Sequence, residues 1–192
     1  MKRAIVLLAA WLLTACTSFA SHQPERYFLL EATSAGTAAA AASAAPALAS
    51  VVVAPTTAAS FYDTQDIVYS RSPGTRAYYR YNHWTERPQR AVHAQLLSRL
   101  GSAAAADRPV LTTRLEEIYH DAADPPGTAR ITLSVELVDP GSRAVIARER
   151  FTGMAPAASY DAAGAVDGMR QALGALLDDV AAWVGAHATP PA

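Results

Sequence analysis

The residues whose types and spacing indicate chemistry lie near the amino terminus, in a Leu-Thr-Ala-Cys segment that ends at Cys16. Two basic residues follow Met1, and an apolar run over residues 4–13 leads into this segment. The run is too short to cross a bilayer as a helix, which needs about 20 residues, and it is typical of an export signal. Small residues before a cysteine form a lipobox, so we expect a lipoprotein signal peptidase to remove residues 1–15.

Lipidation is the chemistry that this pattern predicts for Cys16. The chain contains a single cysteine, which excludes an intramolecular disulfide and a cysteine cluster for metal. In a lipobox the thiol is expected to carry a diacylglycerol, and the new amino terminus a further acyl chain such as palmitate. Each buried methylene contributes about 0.8 kcal/mol, so several chains form a strong membrane anchor. The alternative interpretation is an ordinary secretory signal with a chance cysteine near its cleavage site.

Thr17 carries a second address. In the sorting rule of many Gram-negative lipoproteins, an aspartate after the lipidated cysteine retains the protein on the inner membrane, and a threonine lets it pass to the outer one. The sequence therefore predicts the periplasmic face of the outer membrane, with the inner membrane as the alternative.

Net charge makes nucleic acid an unexpected partner. Without Lys2 and Arg3, the 16 basic residues become 14 against 17 acidic residues, a net charge of -3 from Cys16 onward. Binding to a phosphate backbone needs a basic surface. The length suffices for one domain with its own core.

The sequence contains none of the common motifs for catalysis or metal binding. It lacks G-x-S-x-G, H-E-x-x-H and a phosphate-cradling glycine loop, so we predict no enzyme activity, no cofactor and no metal site. Glu116 and Glu117 are paired carboxylates, but adjacent strand residues point to opposite faces, so we expect no shared reacting group. The histidines lack ligand spacing and are expected at the surface or in packing: His22, His83, His93, His120 and His187.

An aromatic cluster is the candidate contact for a partner or a lipid chain, because tyrosine and tryptophan are enriched at interfaces. The alternative is structural: two of the tyrosines would line one sheet face, and the tryptophan would plug the entry of the first helix. The cluster comprises Tyr78, Tyr79, Tyr81 and Trp84.

Hydrophobic periodicity predicts an α+β fold, with a mainly antiparallel sheet and two helices packed on one face. Residues 16–25 form a membrane tether, residues 26–188 a single domain, and the alanine-rich stretch 32–50 a mobile loop or a helix that orders on a partner. Strands are expected over 26–31, 51–54, 67–71, 76–81, 110–119 with a bulge at Ile118, 131–137 and 145–151, with turns at 72–75 and 139–142. Helices are expected from Thr85, a candidate cap, through Pro88 to Gly101, and over 162–186 with Asp161 as cap.

In this order, the elements resemble the family of ABC-type transport auxiliary lipoproteins. The resemblance covers nearly the whole mature chain, and the long alanine-rich loop departs from it. The segments that carry it are Tyr27-Phe28-Leu29-Leu30, Val51 to Pro55, Phe61 to Val68, Trp84 to Pro88 with Leu96, Leu97 and Leu100 after it, and Asp161 to Val184.

The resemblance implies a periplasmic accessory to a lipid transporter built from an ABC ATPase, a permease and an MCE-domain substrate-binding protein, and it implies possible homo-oligomeric rings. About ten residues separate Cys16 from Tyr27, so the tether spans at most roughly 35 Å. The domain therefore cannot cross the periplasm, and the MCE-domain partner must reach it. An outer-membrane assembly lipoprotein for lipopolysaccharide or β-barrel machinery is the alternative function, since it would share the anchor and the fold.

Overall fold

The computed structural model describes residues 23–33, 51–101 and 107–188. The predicted signal, Cys16, Thr17 and most of the alanine-rich stretch lie outside these residues. The elements in chain order are β1 (Arg26–Phe28), β2 (Val52–Val53), β3 (Thr57–Ala58), a 3-10 helix (Ser60–Tyr62), β4 (Asp66–Ser70), β5 (Ala77–Trp84), α1 (Pro88–Leu100), β6 (Val110–Asp121), β7 (Thr128–Val138), β8 (Val145–Pro156) and α2 (Ala162–His187).

Three long antiparallel strands, β6, β7 and β8, form the larger part of the sheet. In β7 the alternate residues Ile131, Leu133 and Val135 are fully buried, whereas the residues between them face away from the core. The predicted turn after β7 is closed by Asp139, whose carboxylate accepts hydrogen bonds from the amide and hydroxyl of Ser142, both at 2.7 Å. The predicted hairpin is therefore confirmed.

The smaller part of the sheet combines antiparallel and parallel pairs. The sheet order is β1-β5-β4-β6-β7-β8. β4 and β5 form the predicted antiparallel hairpin, and Gly74 adopts φ 75° in its turn. One edge of β6 pairs with β7. Its other edge pairs in succession with β2, β3 and β4, all parallel to it, and β1 is parallel to β5. The α+β prediction holds, while these short parallel pairs depend on contacts between distant segments that strand patterns do not reveal.

The first helix starts later than predicted. Thr85 is not its cap, because α1 begins at Pro88 and Arg87 occupies the cap position without a side-chain hydrogen bond. Proline at the first helical position sacrifices no internal hydrogen bond, so it marks the start. Thr85 instead extends the contact with β1, since its amide donates to the Phe28 carbonyl at 2.9 Å. The predicted stop is confirmed by Gly101, which has φ 72°.

The segment after β1 leaves the sheet, so the predicted strand over 26–31 is shorter than expected. Ala32 donates its amide to the Gln95 side chain at 2.7 Å, and Gln95 donates back to the Leu30 carbonyl at 2.8 Å. The Thr33 amide bonds the Arg170 carbonyl on α2 at 3.0 Å. This segment therefore lies against both helices.

The terminal helix α2 begins as predicted at Asp161, whose carboxylate accepts the Gly164 amide at 2.8 Å. This hydrogen bond lowers the pKa of Asp161, with the Ser159 hydroxyl and the nearby Arg26 charge acting in the same direction. The helix runs back along the sheet, and its apolar stripe forms the core with the inner faces of β6, β7 and β8. No helix in the described ranges is long and apolar enough to span a membrane.

Candidate functional site

Strand β5 separates the predicted aromatic residues into different environments. Trp84 is 1% exposed and lies in the core, so it offers no surface to a partner. Tyr78 is 42% exposed, whereas Tyr79 and Tyr81 are half-buried. Trp84 therefore has a structural role. Of the four predicted residues, only the tyrosines reach the surface.

Tyr79 belongs to a buried polar network with His120, which is 0% exposed. The Tyr79 hydroxyl lies 2.7 Å from His120 Nδ1, and His120 Nε2 lies 2.9 Å from the Pro126 carbonyl. A carbonyl only accepts, so Nε2 carries the hydrogen, and Nδ1 accepts a hydrogen bond from the tyrosine hydroxyl. Burial lowers the pKa of His120, and burial together with the Asp161 charge raises the pKa of Tyr79 to about 12. Both groups are thus held neutral, in a structural role.

Arginines that sequence reasoning missed lie beside the remaining tyrosines. Arg80 lies over the Tyr81 ring at 5.3 Å, and Arg71 lies over the Tyr69 ring at the same distance. The signal that could have revealed them is the alternation of arginine and aromatic residues over 69–71 and 78–81. Arg71 and Arg80 lie at the end of the sheet where β4 turns into β5, and the start of β1 and the loop before α2 lie at the same end. We call the arginines and tyrosines at this end the arginine–tyrosine surface: Arg26, Tyr69, Arg71, Arg80, Tyr81 and Tyr160.

Tyr78 points to the face of β5 opposite Tyr79, and there it stacks on Phe61 of the 3-10 helix. The two ring centroids lie 5.0 Å apart with an interplanar angle of 12°. Phe61 is 39% exposed, so this Phe61–Tyr78 pair presents an aromatic face to solvent. Such a pair can contact an apolar partner with little loss of side-chain entropy, because both rings are already fixed.

An arginine beneath this pair ties the 3-10 helix to the sheet. Arg76 lies 3.8 Å from the centroid of the Tyr119 ring, donates to the Tyr62 hydroxyl at 3.0 Å and pairs with Glu117 at 3.1 Å. Burial raises the pKa of the Tyr62 phenol. These contacts fix the position of the 3-10 helix that carries Phe61, and so fix the Phe61–Tyr78 pair.

The two adjacent glutamates do not point to opposite faces, which corrects our expectation. The register of β6 against β7 shifts between Leu115 and Glu117, so the bulge is at Glu116 and precedes Ile118. The bulge turns both glutamates to the face away from the helices. Each has its own partner, since Glu116 pairs with Arg114 at 3.2 Å and Glu117 with Arg76. They still share no reacting group.

The same sheet face carries an open polar groove of about 760 Å³ across β6, β7 and β8. Its charged side chains largely neutralise one another, as in the Arg148–Glu136 pair at 2.7 Å. Outside this groove, His83 Nδ1 lies within hydrogen-bond distance of Asp66 Oδ1, at 3.0 Å, and joins β5 to β4. Over the ranges that the structure covers, no three histidine, cysteine or acidic side chains converge on a metal position.

Comparison with known proteins gives a family and a fold. The family model described as "ABC-type transport auxiliary lipoprotein component" matches residues 28–181, from β1 to α2. A crystal structure of a Xanthomonas campestris protein superposes with a TM-score of 0.71 at 19% identity, covering 84% of this chain and 95% of that one. A second, uncharacterised protein gives a TM-score of 0.65 at 13% identity, over 84% and 99% of the two chains. No curated protein matches this chain significantly in sequence.

Proposed function

Because the chain belongs to the family of ABC-type transport auxiliary lipoproteins, we propose that it is the outer-membrane-anchored periplasmic component of an intermembrane lipid transport system. In this role it binds the MCE-domain partner and performs no catalysis. The observation that carries the proposal is the family match over residues 28–181, behind a lipobox at Cys16.

The state of the polar side chains supports binding over catalysis. Both ring nitrogens of His120 are engaged, Asp161 caps a helix, and the two adjacent glutamates each hold an arginine. A general base must reach the proton that it abstracts, and an activated nucleophile needs an adjacent base. These groups are instead engaged in maintaining the fold.

The Phe61–Tyr78 pair is the surface that we assign to the MCE-domain partner. Aromatic residues fixed in place often supply a large share of binding energy at protein interfaces. The tether allows the domain to rise at most roughly 35 Å from the membrane, so an assembly that extends from the inner membrane must approach it. A ring of several copies would multiply this contact, and it forms part of the proposal.

Crosslinking in intact envelopes tests the partner. The lipidated protein is purified after crosslinking, its partners are identified by mass spectrometry, and the Cys16→Ala form serves as comparator. We expect an MCE-domain protein, and we expect less of it with the double variant Phe61→Ala and Tyr78→Ala.

A matched control is Ile146→Ala, because Ile146 is 46% exposed at the opposite end of the sheet. This variant should recover as much partner as the wild type does. Recovery of only barrel or lipopolysaccharide machinery would refute transport and favour the assembly function. Equal loss with Ile146→Ala would refute the assignment of the surface.

A further inference from the structure

The arginine–tyrosine surface combines free positive charge with fixed aromatic rings. Within the described ranges, Arg26, Arg71 and Arg80 form no ion pair. Each of these arginines lies over an aromatic ring at 5.2 to 5.3 Å. The neighbouring carboxylate, Asp161, caps α2 and, among the described residues, forms no ion pair with these arginines. The guanidinium groups are therefore available to an external anion.

The aromatic side chains are positioned by the polar network beneath them. Tyr69 and Tyr79 lie with ring centroids 4.8 Å apart, and His120 lies 6.1 Å from the Tyr160 ring. Tyr160 is 45% exposed, and its hydroxyl donates to the Ala122 carbonyl at 2.7 Å. The hydrogen bonds of Tyr79 and Tyr160 thus fix the positions of the rings that pack beside them.

The tether leaves the domain on this side. β1 is parallel to β5, and Arg26 lies beside Asn82 in the register. The amino-terminal end of β1 therefore points along β5 toward Tyr81 and Arg80. Only nine residues lie between Cys16 and Arg26, which holds this end within roughly 35 Å of the lipid chains.

We propose that the arginine–tyrosine surface docks on the phospholipid bilayer in which Cys16 is anchored and so fixes the orientation of the domain. This inference rests on the lipid anchor of the proposed function. Guanidinium groups bind phosphate in bidentate geometry, and tyrosine rings favour the headgroup level. Anionic lipid attracts basic groups near the membrane surface. The Phe61–Tyr78 pair, on the face of β5 opposite Tyr79, remains open to a protein partner.

Site-specific fluorescence quenching tests the docking in the lipidated protein. Because Cys16 is the single cysteine and carries lipid, an added cysteine provides one free thiol for a dye. Ser72→Cys places the dye beside Arg71, and Ser142→Cys places it in the turn at the opposite end of the sheet. The two variants are matched, since each removes one hydroxyl that bonds within its own exposed turn.

The labelled proteins are reconstituted in vesicles of phosphatidylcholine and phosphatidylglycerol that contain a headgroup-quencher lipid. We expect strong quenching at residue 72 and weak quenching at residue 142. Arg71→Gln with Arg80→Gln should lower the docking equilibrium constant about tenfold or more. The control pair, Arg90→Gln with Arg143→Gln, removes the same charge from exposed sites elsewhere and should change little.

Equal quenching at residues 72 and 142 would overturn the docking. Quenching at residue 72 that stays the same after Arg71→Gln with Arg80→Gln would overturn it as well. Equal quenching in vesicles of phosphatidylcholine alone would overturn the role of the anionic headgroup. The readout needs no transporter, so it is independent of the partner. Docked protein that recovers no MCE-domain protein from envelopes would refute the transport proposal alone.

Discussion

At the scale of single residues, His120 shows how the fold fixes a protonation state. Its two nitrogens connect the Tyr79 hydroxyl to the Pro126 carbonyl, and the ring is fully buried. An added proton would occupy Nδ1 and remove the acceptor that Tyr79 uses. Folding therefore favours the neutral ring.

The stability of the protein should fall as the pH drops below the ordinary histidine pKa of 6.5. Burial lowers the pKa of His120 in the folded state. Between this lowered pKa and the ordinary pKa of 6.5, the unfolded chain therefore binds more protons than the folded one. The unfolding free energy then decreases with falling pH, by at most about 1.4 kcal/mol per pH unit from this group. Above 6.5 the contribution of the neutral ring is complete.

Urea unfolding from about pH 5 to about pH 8 measures this effect. His120→Gln keeps a donor and an acceptor but does not titrate, so the wild-type slope should exceed that of the variant in this window. Identical slopes would show that His120 is not the responsible group.

Replacing Trp84 should lower the unfolding free energy much more than replacing Tyr78. Trp84→Ala opens a cavity in the core and should cost about 3–5 kcal/mol of unfolding free energy. Tyr78→Ala removes a half-exposed ring and should cost about 1 kcal/mol or less. Chemical denaturation compares the two variants. A large loss with Tyr78→Ala would mean that this ring is structural and is not reserved for a partner.

At the scale of elements, α2 packs close to the sheet because a glycine on each element faces the backbone of the other. A Cβ at Gly153 would lie 2.6 Å from the Ala172 carbonyl oxygen and 3.1 Å from Leu176 Cβ. A Cβ at Gly168 would lie 2.8 Å from the Pro156 carbonyl oxygen. The helix therefore approaches β8 more closely than side chains would permit.

Gly153→Ala should destabilise the protein by about 1–3 kcal/mol, because the helix must shift away from β8. Gly185→Ala is the matched control, since nothing lies within 4 Å of its added Cβ. Alanine there should be neutral or stabilising by up to about 1 kcal/mol. Thermal unfolding of both variants gives the comparison, and equal effects would contradict close packing at Gly153.

At the scale of the whole molecule, the start of β1, the β4–β5 turn and the start of α2 meet at one end of the sheet. The β7–β8 turn lies at the other end. With Cys16 lipidated as we propose, the short tether would bring the first end toward the membrane. A body with two unlike ends can contact lipid with one and remain open to a protein on a different face.

The predicted outer-membrane location depends on Thr17. Thr17→Asp should move the protein from the outer-membrane fraction to the inner-membrane fraction, because aspartate after the lipidated cysteine signals retention. Thr17→Ser is the control and should leave the location unchanged. Density-gradient fractionation with immunodetection measures both variants. A Thr17→Asp protein that stays in the outer membrane would refute this sorting signal.

Local patterns were enough for the sequence to predict features that depend on neighbouring residues. The alternation in β7, the turn at Asp139 and the cap at Asp161 each arise within a few residues, so they appear as predicted. The buried face of α2 follows from its periodicity in the same way. The family itself was recognisable because several such segments occur in order.

Contacts between distant segments were decided by the tertiary structure. The parallel pairs along β6, the departure of residues 29–33 toward the helices and the burial of Trp84 all depend on partners tens of residues away. The bulge at Glu116 reversed the expected orientation of a glutamate, because one extra residue changes which face a side chain occupies. The sequence alone was enough to recognise the lipobox motif and the longer elements, whereas their packing determined which tyrosines and arginines reach the surface together.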